Sequence, residues 1–111
     1  MPKTIPLFPG LLYVINEREA WSKTFQRLCK RGNYDPDLAK VMPSHSGQTS
    51  SVLLDGVLHV VTGVFNRSPS TACHEAVHCA QEVAKQCAID PLSECEAFAY
   101  LTEHFYEELL K

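Results

Sequence analysis

The sequence lacks a broad excess of positive charge and a long apolar run. It carries 10 Lys and Arg against 13 Asp and Glu, and its only basic doublet, Lys30-Arg31, lies at a predicted helix end. The most apolar stretch, residues 57–65, is interrupted by His59 and Gly63 and falls well short of the ~18 residues of a membrane span. We therefore expect no nucleic-acid partner and no membrane partner.

The first residues are not typical of an export signal, and the cysteines form no regular framework. The first residues carry Pro2, Pro6 and Pro9 without a long apolar segment or a small-residue cleavage site. The cysteines are odd in number and irregular in spacing, at positions 29, 73, 79, 87 and 95. We therefore expect reduced thiols in a cytoplasmic protein, folded as a single domain over residues 1–111.

Local patterns predict a strand and a helix in the first part of the chain. Residues 11–15 are apolar and partly β-branched, which is typical of a strand. Asn16 and Glu19 match a capping box for a following helix that ends at Gly32, with a core stripe of Trp21, Phe25 and Leu28. Asp35-Pro36 predicts one further helical turn.

The second part of the chain predicts a hairpin and two helices. Residues 43–51 are polar and predict a loop, and strands 52–54 and 57–65 flank an Asp55-Gly56 turn. Ser68-Pro69 begins a helix through residues 70–90, and Asp90-Pro91 begins the last helix. The core stripe of that last helix is Phe98, Leu101, Phe105 and Leu109. This pattern predicts an α+β fold in which a small sheet packs against about three helices.

The central helix contains the motif His74-Glu75-Ala76-Val77-His78. Residues four apart lie one above the other on a helix, so both imidazoles can bind one metal ion. Glu75 is rotated by about 100° from His74, which directs its carboxylate toward a metal-bound water as a general base. The motif therefore predicts a zinc site with a base beside it.

The residues of this helix divide into two faces. We predict an apolar arc that packs on the sheet, made of Cys73, Ala76, Val77, Ala80, Val83, Ala84 and Cys87. The opposite face holds His74, His78, Gln81 and Lys85, so the histidines are expected to face a cleft. We interpret Cys73 and Cys79 as buried structural thiols.

A catalytic zinc ion needs a third protein ligand, and the last helix offers Glu94 and Glu96. The run Glu96-Ala97-Phe98-Ala99-Tyr100 resembles the second-helix motif of the gluzincin metallopeptidases, in which a Glu followed by Ala or Gly is the third ligand. That resemblance implies Glu96, and the 17 residues between His78 and Glu96 fit the spacing of the family. Helical phase instead favours Glu94, which falls inside the apolar arc of Phe98.

The resemblance implies a minimal zincin-like domain with its metal site between the last two helices. It implies a zinc-dependent hydrolase of peptide or protein substrates, with Glu75 as general base and Tyr100 as a hydrogen-bond donor near the reaction. The chain departs from the family in having Cys95 where several members have Asn, and in lacking large substrate-binding domains. The chain also looks like small phage-encoded proteins with this motif, which would place it in a host cytoplasm.

A second interpretation is a non-catalytic zinc-binding protein, in which the metal stabilises the fold or the loops bind a partner. Two further histidines have functional and ordinary interpretations. His59 in the second hairpin strand and His45 in the polar loop could contact a substrate. A lone histidine in a strand or loop is more often a core or surface residue.

Overall fold

A four-stranded mixed sheet forms the centre of the protein. The computed structural model describes residues 2–5, 9–35 and 45–111. The strands are β1 (Lys3–Thr4), β2 (Gly10–Val14), β3 (Gly47–Leu54) and β4 (Val57–Val64), and they lie in the order β1-β2-β4-β3. β2 runs parallel to β4, while β3 pairs with β4 in the antiparallel direction at one edge of the sheet.

Three helices in the described residues cover the two faces of this sheet. They are α1 (Arg18–Arg31), α2 (Pro69–Cys87) and α3 (Cys95–Leu110). One face packs against α1 through a core of Trp21, Leu28, Cys29, Val52, Leu54 and Val61. On the other face, α2 and α3 enclose a second core that includes Leu12, Val60, Ala76, Val83, Phe105 and Leu109. Successive strand residues point to opposite faces of the sheet, so the strands contribute to both cores. The predicted α+β architecture is confirmed.

The first strand of the hairpin begins five residues earlier than predicted. We expected a loop over 43–51, but residues 47–51 belong to β3, whose register pairs Gly47 with Val64 and Leu54 with Val57. The side chains of this segment are polar, so the sequence lacks the alternation of apolar and polar residues that indicates a strand. The segment is a strand because it pairs with β4. The predicted turn is confirmed, since Asp55 and Gly56 both have positive φ (51° and 79°).

The start of α1 differs from the predicted capping box. Its N-cap is Glu17, without a side-chain cap hydrogen bond. The Asn16 side chain instead accepts a hydrogen bond from the Val64 backbone N–H through Oδ1, at 2.9 Å. Asn16 therefore links the entry of α1 to the end of β4, and the prediction of Asn16 as the cap is wrong.

The turn between the two later helices is longer than predicted, so both helices are shorter than predicted. α2 begins after Ser68 as predicted but ends at Cys87, where Ala88 takes a left-handed conformation and bonds the Ala84 carbonyl. α3 begins at Cys95, because the Asp90 carboxylate accepts a hydrogen bond from the Leu92 N–H in a preceding turn. The further turn predicted at Asp35-Pro36 extends outside the described residues. None of the helices described has the length and apolar character needed to cross a membrane.

Candidate metal centre

The two motif histidines lie side by side on the exposed face of α2. Their Nε2 atoms are 3.1 Å apart, and their ring centroids are 4.8 Å apart at an interplanar angle of 73°. Gln81 and Lys85 share this exposed face, as the sequence predicts. One helical turn thus brings two nitrogen ligands together without any help from another element.

The hydrogen bonds of this pair suit metal binding. The Nδ1 of His78 lies 3.0 Å from the Gln81 side-chain oxygen Oε1. In the tautomer in which Nδ1 donates to this oxygen, Nε2 keeps a lone pair for a metal. Two nitrogens that bind one tetrahedral zinc ion lie about 3.3 Å apart, given Zn–N bonds near 2.0–2.1 Å. The observed spacing fits two lone pairs that converge on one cation, and it also fits a direct N–H···N hydrogen bond.

Glu75 lies on a different side of α2, and only 4% of its surface is exposed. Its Oε1 accepts a hydrogen bond of 2.6 Å from the Thr49 hydroxyl on β3. The Thr62 hydroxyl on β4 lies 2.8 Å from that of Thr49 and donates to it, since the Thr49 proton points at Glu75. This chain of hydroxyl groups holds a buried carboxylate in one orientation, which offsets part of the cost of its desolvation.

The backbone of β3 approaches Glu75 closely at Gly47. A Cβ atom at Gly47 would stand 2.8 Å from Glu75 Cγ, 2.8 Å from Thr71 Cγ2 and 2.9 Å from Glu75 Oε2. At those distances a Cβ atom would force the Glu75 or Thr71 side chain, or the strand, to shift. Gly47 therefore permits the close approach of the edge strand to α2.

A cavity of about 550 Å³ connects these features. It lies between α2 and the beginning of β3, whereas we expected the site between the last two helices. The described residues that line it come from the start of β3 and from one face of α2: His45, Ser46, Gly47, Gln48, Thr49, Ser70, Thr71, His74, Glu75 and His78. The two predicted histidine ligands and the predicted base thus open into one space, whose other lining residues include several with hydroxyl groups.

The predicted residues of α3 do not line this cavity. Glu96 lies in the exposed first turn of α3, and the Tyr100 side chain is 67% exposed. Within residues 2–5, 9–35 and 45–111, no group of three or more His, Cys, Asp or Glu side chains is arranged to hold a metal ion. The structure therefore brings together His74, Glu75 and His78, and the roles of Glu96 and Tyr100 stay predictions.

The two cysteines beside the motif have opposite environments. Cys79 is completely buried, and burial raises the pKa of its thiol to about 12, so it is an inert core residue as predicted. Cys73 is exposed, so the interpretation as a buried thiol is wrong for this residue. The buried position on that turn of α2 belongs to Ala72, because the apolar arc is centred one residue earlier than we predicted.

The two remaining histidine candidates also differ. His59 is buried on the α1 side of the sheet, where its Nδ1 lies 2.9 Å from the Tyr13 hydroxyl. Burial, and then the positive charge of Arg31, lower the pKa of His59, so it is a neutral core residue away from the cavity. His45 lines the cavity, and Arg18 Nη2 donates a 3.0 Å hydrogen bond to its carbonyl oxygen.

Sequence reasoning missed Gly47, Thr49 and Thr62, which surround and orient the Glu75 carboxylate. Thr49 and Glu75 are 26 residues apart, so no local pattern connects them. Their shared site is created only when β3 crosses α2. Comparison of the chain with protein-family models, with curated proteins and with solved structures found no match.

Proposed function

We propose that this protein is a zinc-dependent peptide hydrolase in which His74 and His78 bind the metal and Glu75 is the general base. The observation that carries the proposal is the shared cavity. It is lined by a buried carboxylate oriented by Thr49 and by two imidazoles whose Nε2 atoms are 3.1 Å apart. A base held next to a metal-ligand pair is the arrangement that water activation needs.

For the third ligand we propose Glu96 rather than Glu94. Glu94 serves the turn before α3, since its Oε1 lies 3.4 Å from the Asp90 N–H and its backbone N–H bonds the Asp90 carbonyl at 2.7 Å. The Glu96 side chain has no hydrogen bond or ion pair with another residue in the described part of the chain, so its carboxylate is available. Tyr100 lies one turn farther along α3, and we propose its hydroxyl as a donor near the reacting carbonyl.

The chemistry divides between the metal and Glu75. Zinc in this site would supply a Lewis acid that polarises an amide carbonyl and lowers the pKa of a water molecule. Glu75 accepts a proton from the water while the water oxygen forms a bond to the carbonyl carbon. Glu75 then gives that proton to the leaving nitrogen as the C–N bond breaks. The hydrogen bond from Thr49 leaves one carboxylate oxygen, Oε2, on the side of Gly47 for this transfer.

The proposed substrate is a peptide in an extended conformation. β3 is an edge strand, and its first residues form one wall of the cavity beside Glu75. A backbone that pairs with an edge strand gains main-chain hydrogen bonds whatever its side chains are. Such pairing would carry the peptide across the face of α2 that holds the two histidines.

The test is Glu75→Gln in zinc-loaded protein, assayed against a degenerate peptide library by mass spectrometry. We expect the rate of cleavage to fall by about 10²–10⁴, because general-base catalysis is lost while the shape is kept. Zinc content and the thermal midpoint should stay close to those of the wild type.

Glu82→Gln is the matched control, since Glu82 is a half-buried α2 carboxylate that also accepts a hydrogen bond from β3, through Ser51 at 3.0 Å. We expect this variant to cleave like the wild type. A wild-type protein that binds zinc and cleaves no peptide would favour the non-catalytic zinc-binding function instead.

A further inference from the structure

Alternate residues of β3 direct their backbone groups away from β4. The Phe65 N–H donates to the Ser46 carbonyl at 2.8 Å, which fixes the hydrogen-bonded pairs of the β3–β4 ladder. By the two-residue repeat of an antiparallel ladder, the even-numbered residues of β3 bond β4. The outward-facing N–H and C=O groups therefore belong to Gly47, Thr49, Ser51 and Leu53.

One of these four outward positions is already occupied by a side chain. The Tyr34 hydroxyl donates to the Leu53 carbonyl at 3.2 Å and accepts from the Leu53 N–H at 3.3 Å. Tyr34 is itself fixed after α1, where its N–H donates to the Cys29 carbonyl at 2.9 Å. Its hydroxyl thus takes the place of a neighbouring strand at the far end of β3.

The other three outward positions meet no further strand of the described chain. They begin at Gly47, which lines the cavity, and end at Ser51, the last outward position before Leu53, to which Tyr34 is hydrogen-bonded. The available edge therefore starts at the site and stops after about 14 Å, at ~3.4 Å per residue.

We propose that Tyr34 sets the length of peptide backbone that this protein binds, by closing the edge of β3 at Leu53. The proposal rests on the function proposed above and names a specificity-determining residue for it. An extended peptide would pair antiparallel with Gly47, Thr49 and Ser51. Its amino-terminal residues then lie toward Ser51, and residues farther in that direction gain no main-chain hydrogen bonds.

The first test needs no substrate and examines Tyr34 alone. Amide hydrogen exchange of Leu53 is measured by NMR in the wild type and in Tyr34→Phe, which keeps the ring and removes the hydroxyl. We expect the Leu53 amide to exchange at least about tenfold faster in the variant, because its acceptor is lost. Tyr106→Phe, which removes a hydroxyl from α3 on the other side of the sheet, is the control and should leave Leu53 unchanged.

The second test uses a zinc-loaded enzyme and peptides that the wild type cleaves in the library. Each is extended by one residue at a time on the amino side of the scissile bond, with a carboxyl-side series as the control. We expect kcat/KM of the wild type to reach a plateau once the peptide spans Gly47 to Ser51. In Tyr34→Phe it should rise by a further ~3- to 10-fold, the value of one or two net hydrogen bonds.

The outcomes separate this inference from the proposed function. Equal exchange of the Leu53 amide in both proteins would overturn the role of Tyr34, whatever the protein cleaves. Cleavage with the same plateau in both proteins would overturn it while the proposed function stands. A protected Leu53 amide in a wild type that cleaves no peptide would contradict the proposed function and this inference with it.

Discussion

At the scale of single residues, Glu75 is the most informative position. A carboxylate with 4% of its surface exposed is costly unless its oxygens are solvated or hydrogen-bonded. Thr49 bonds Oε1, and the side chain lines the cavity. Glutamates that serve only solubility lie on helix surfaces, as Glu103 and Glu107 do on α3. The burial of Glu75 in the cavity that the two histidines also line is the observation on which its proposed role depends.

The close approach of β3 leads to a prediction for Gly47→Ala. A Cβ atom 2.8–2.9 Å from Glu75 and Thr71 would push the strand or the carboxylate aside. We expect at least tenfold slower peptide cleavage and a free energy of unfolding lowered by about 1–3 kcal/mol, as in overpacked cores. Cleavage assays and urea unfolding would measure the two effects.

Ser50→Ala is the control for this prediction, because Ser50 lies on the same strand with its side chain toward α1. This variant should change neither the rate of peptide cleavage nor the free energy of unfolding by much. Cleavage by Gly47→Ala at the wild-type rate would show that the position of Glu75 does not depend on this contact.

At the scale of elements, the sequence predicts the helices better than the strands. The 3.6-residue repeat of Ala76, Ala80 and Val83 identifies α2, since helical order depends on nearby residues. The start of β3 was missed because its residues are polar and its partners lie on β4 and α2. The Thr49–Glu75 and Ser51–Glu82 hydrogen bonds are tertiary, so no local pattern reveals them.

The first turn of α3 gives a prediction about the third ligand. If Glu96 binds the metal, Glu96→Ala should weaken zinc binding by about 10–100-fold, while Glu94→Ala should leave it nearly unchanged. The reason is that Glu94 closes the turn before α3, whereas the Glu96 side chain makes no such contact with the residues that the structure describes. Competition with a chromophoric zinc chelator measures both affinities.

Glu94→Ala and Glu96→Ala are matched variants, because each removes one exposed carboxylate and the two positions are only two residues apart. Loss of zinc affinity in Glu94→Ala with full affinity in Glu96→Ala would reverse the assignment. Full affinity in both would place the third ligand outside α3, and His45 on the cavity wall would be the next residue to replace.

At the scale of the whole molecule, the site is created by the packing of β3 across α2. The motif on α2 could be predicted from sequence, because its two histidines need only one helical turn. The cavity could not, since its walls come from residues 45–49 and 70–78, which meet only after the sheet has formed. The same topology leaves β3 at the edge of the sheet, next to the predicted base.

The central claim is that His74 and His78 together bind zinc. The most direct measurement is the metal content, by inductively coupled plasma mass spectrometry, of protein purified without an affinity tag. The account predicts close to one zinc per chain, lost in the double variant His74→Ala/His78→Ala and kept in His104→Ala, which removes an imidazole from α3. Zinc-free wild-type protein that stays empty in added zinc, or a double variant that keeps its zinc, would contradict it.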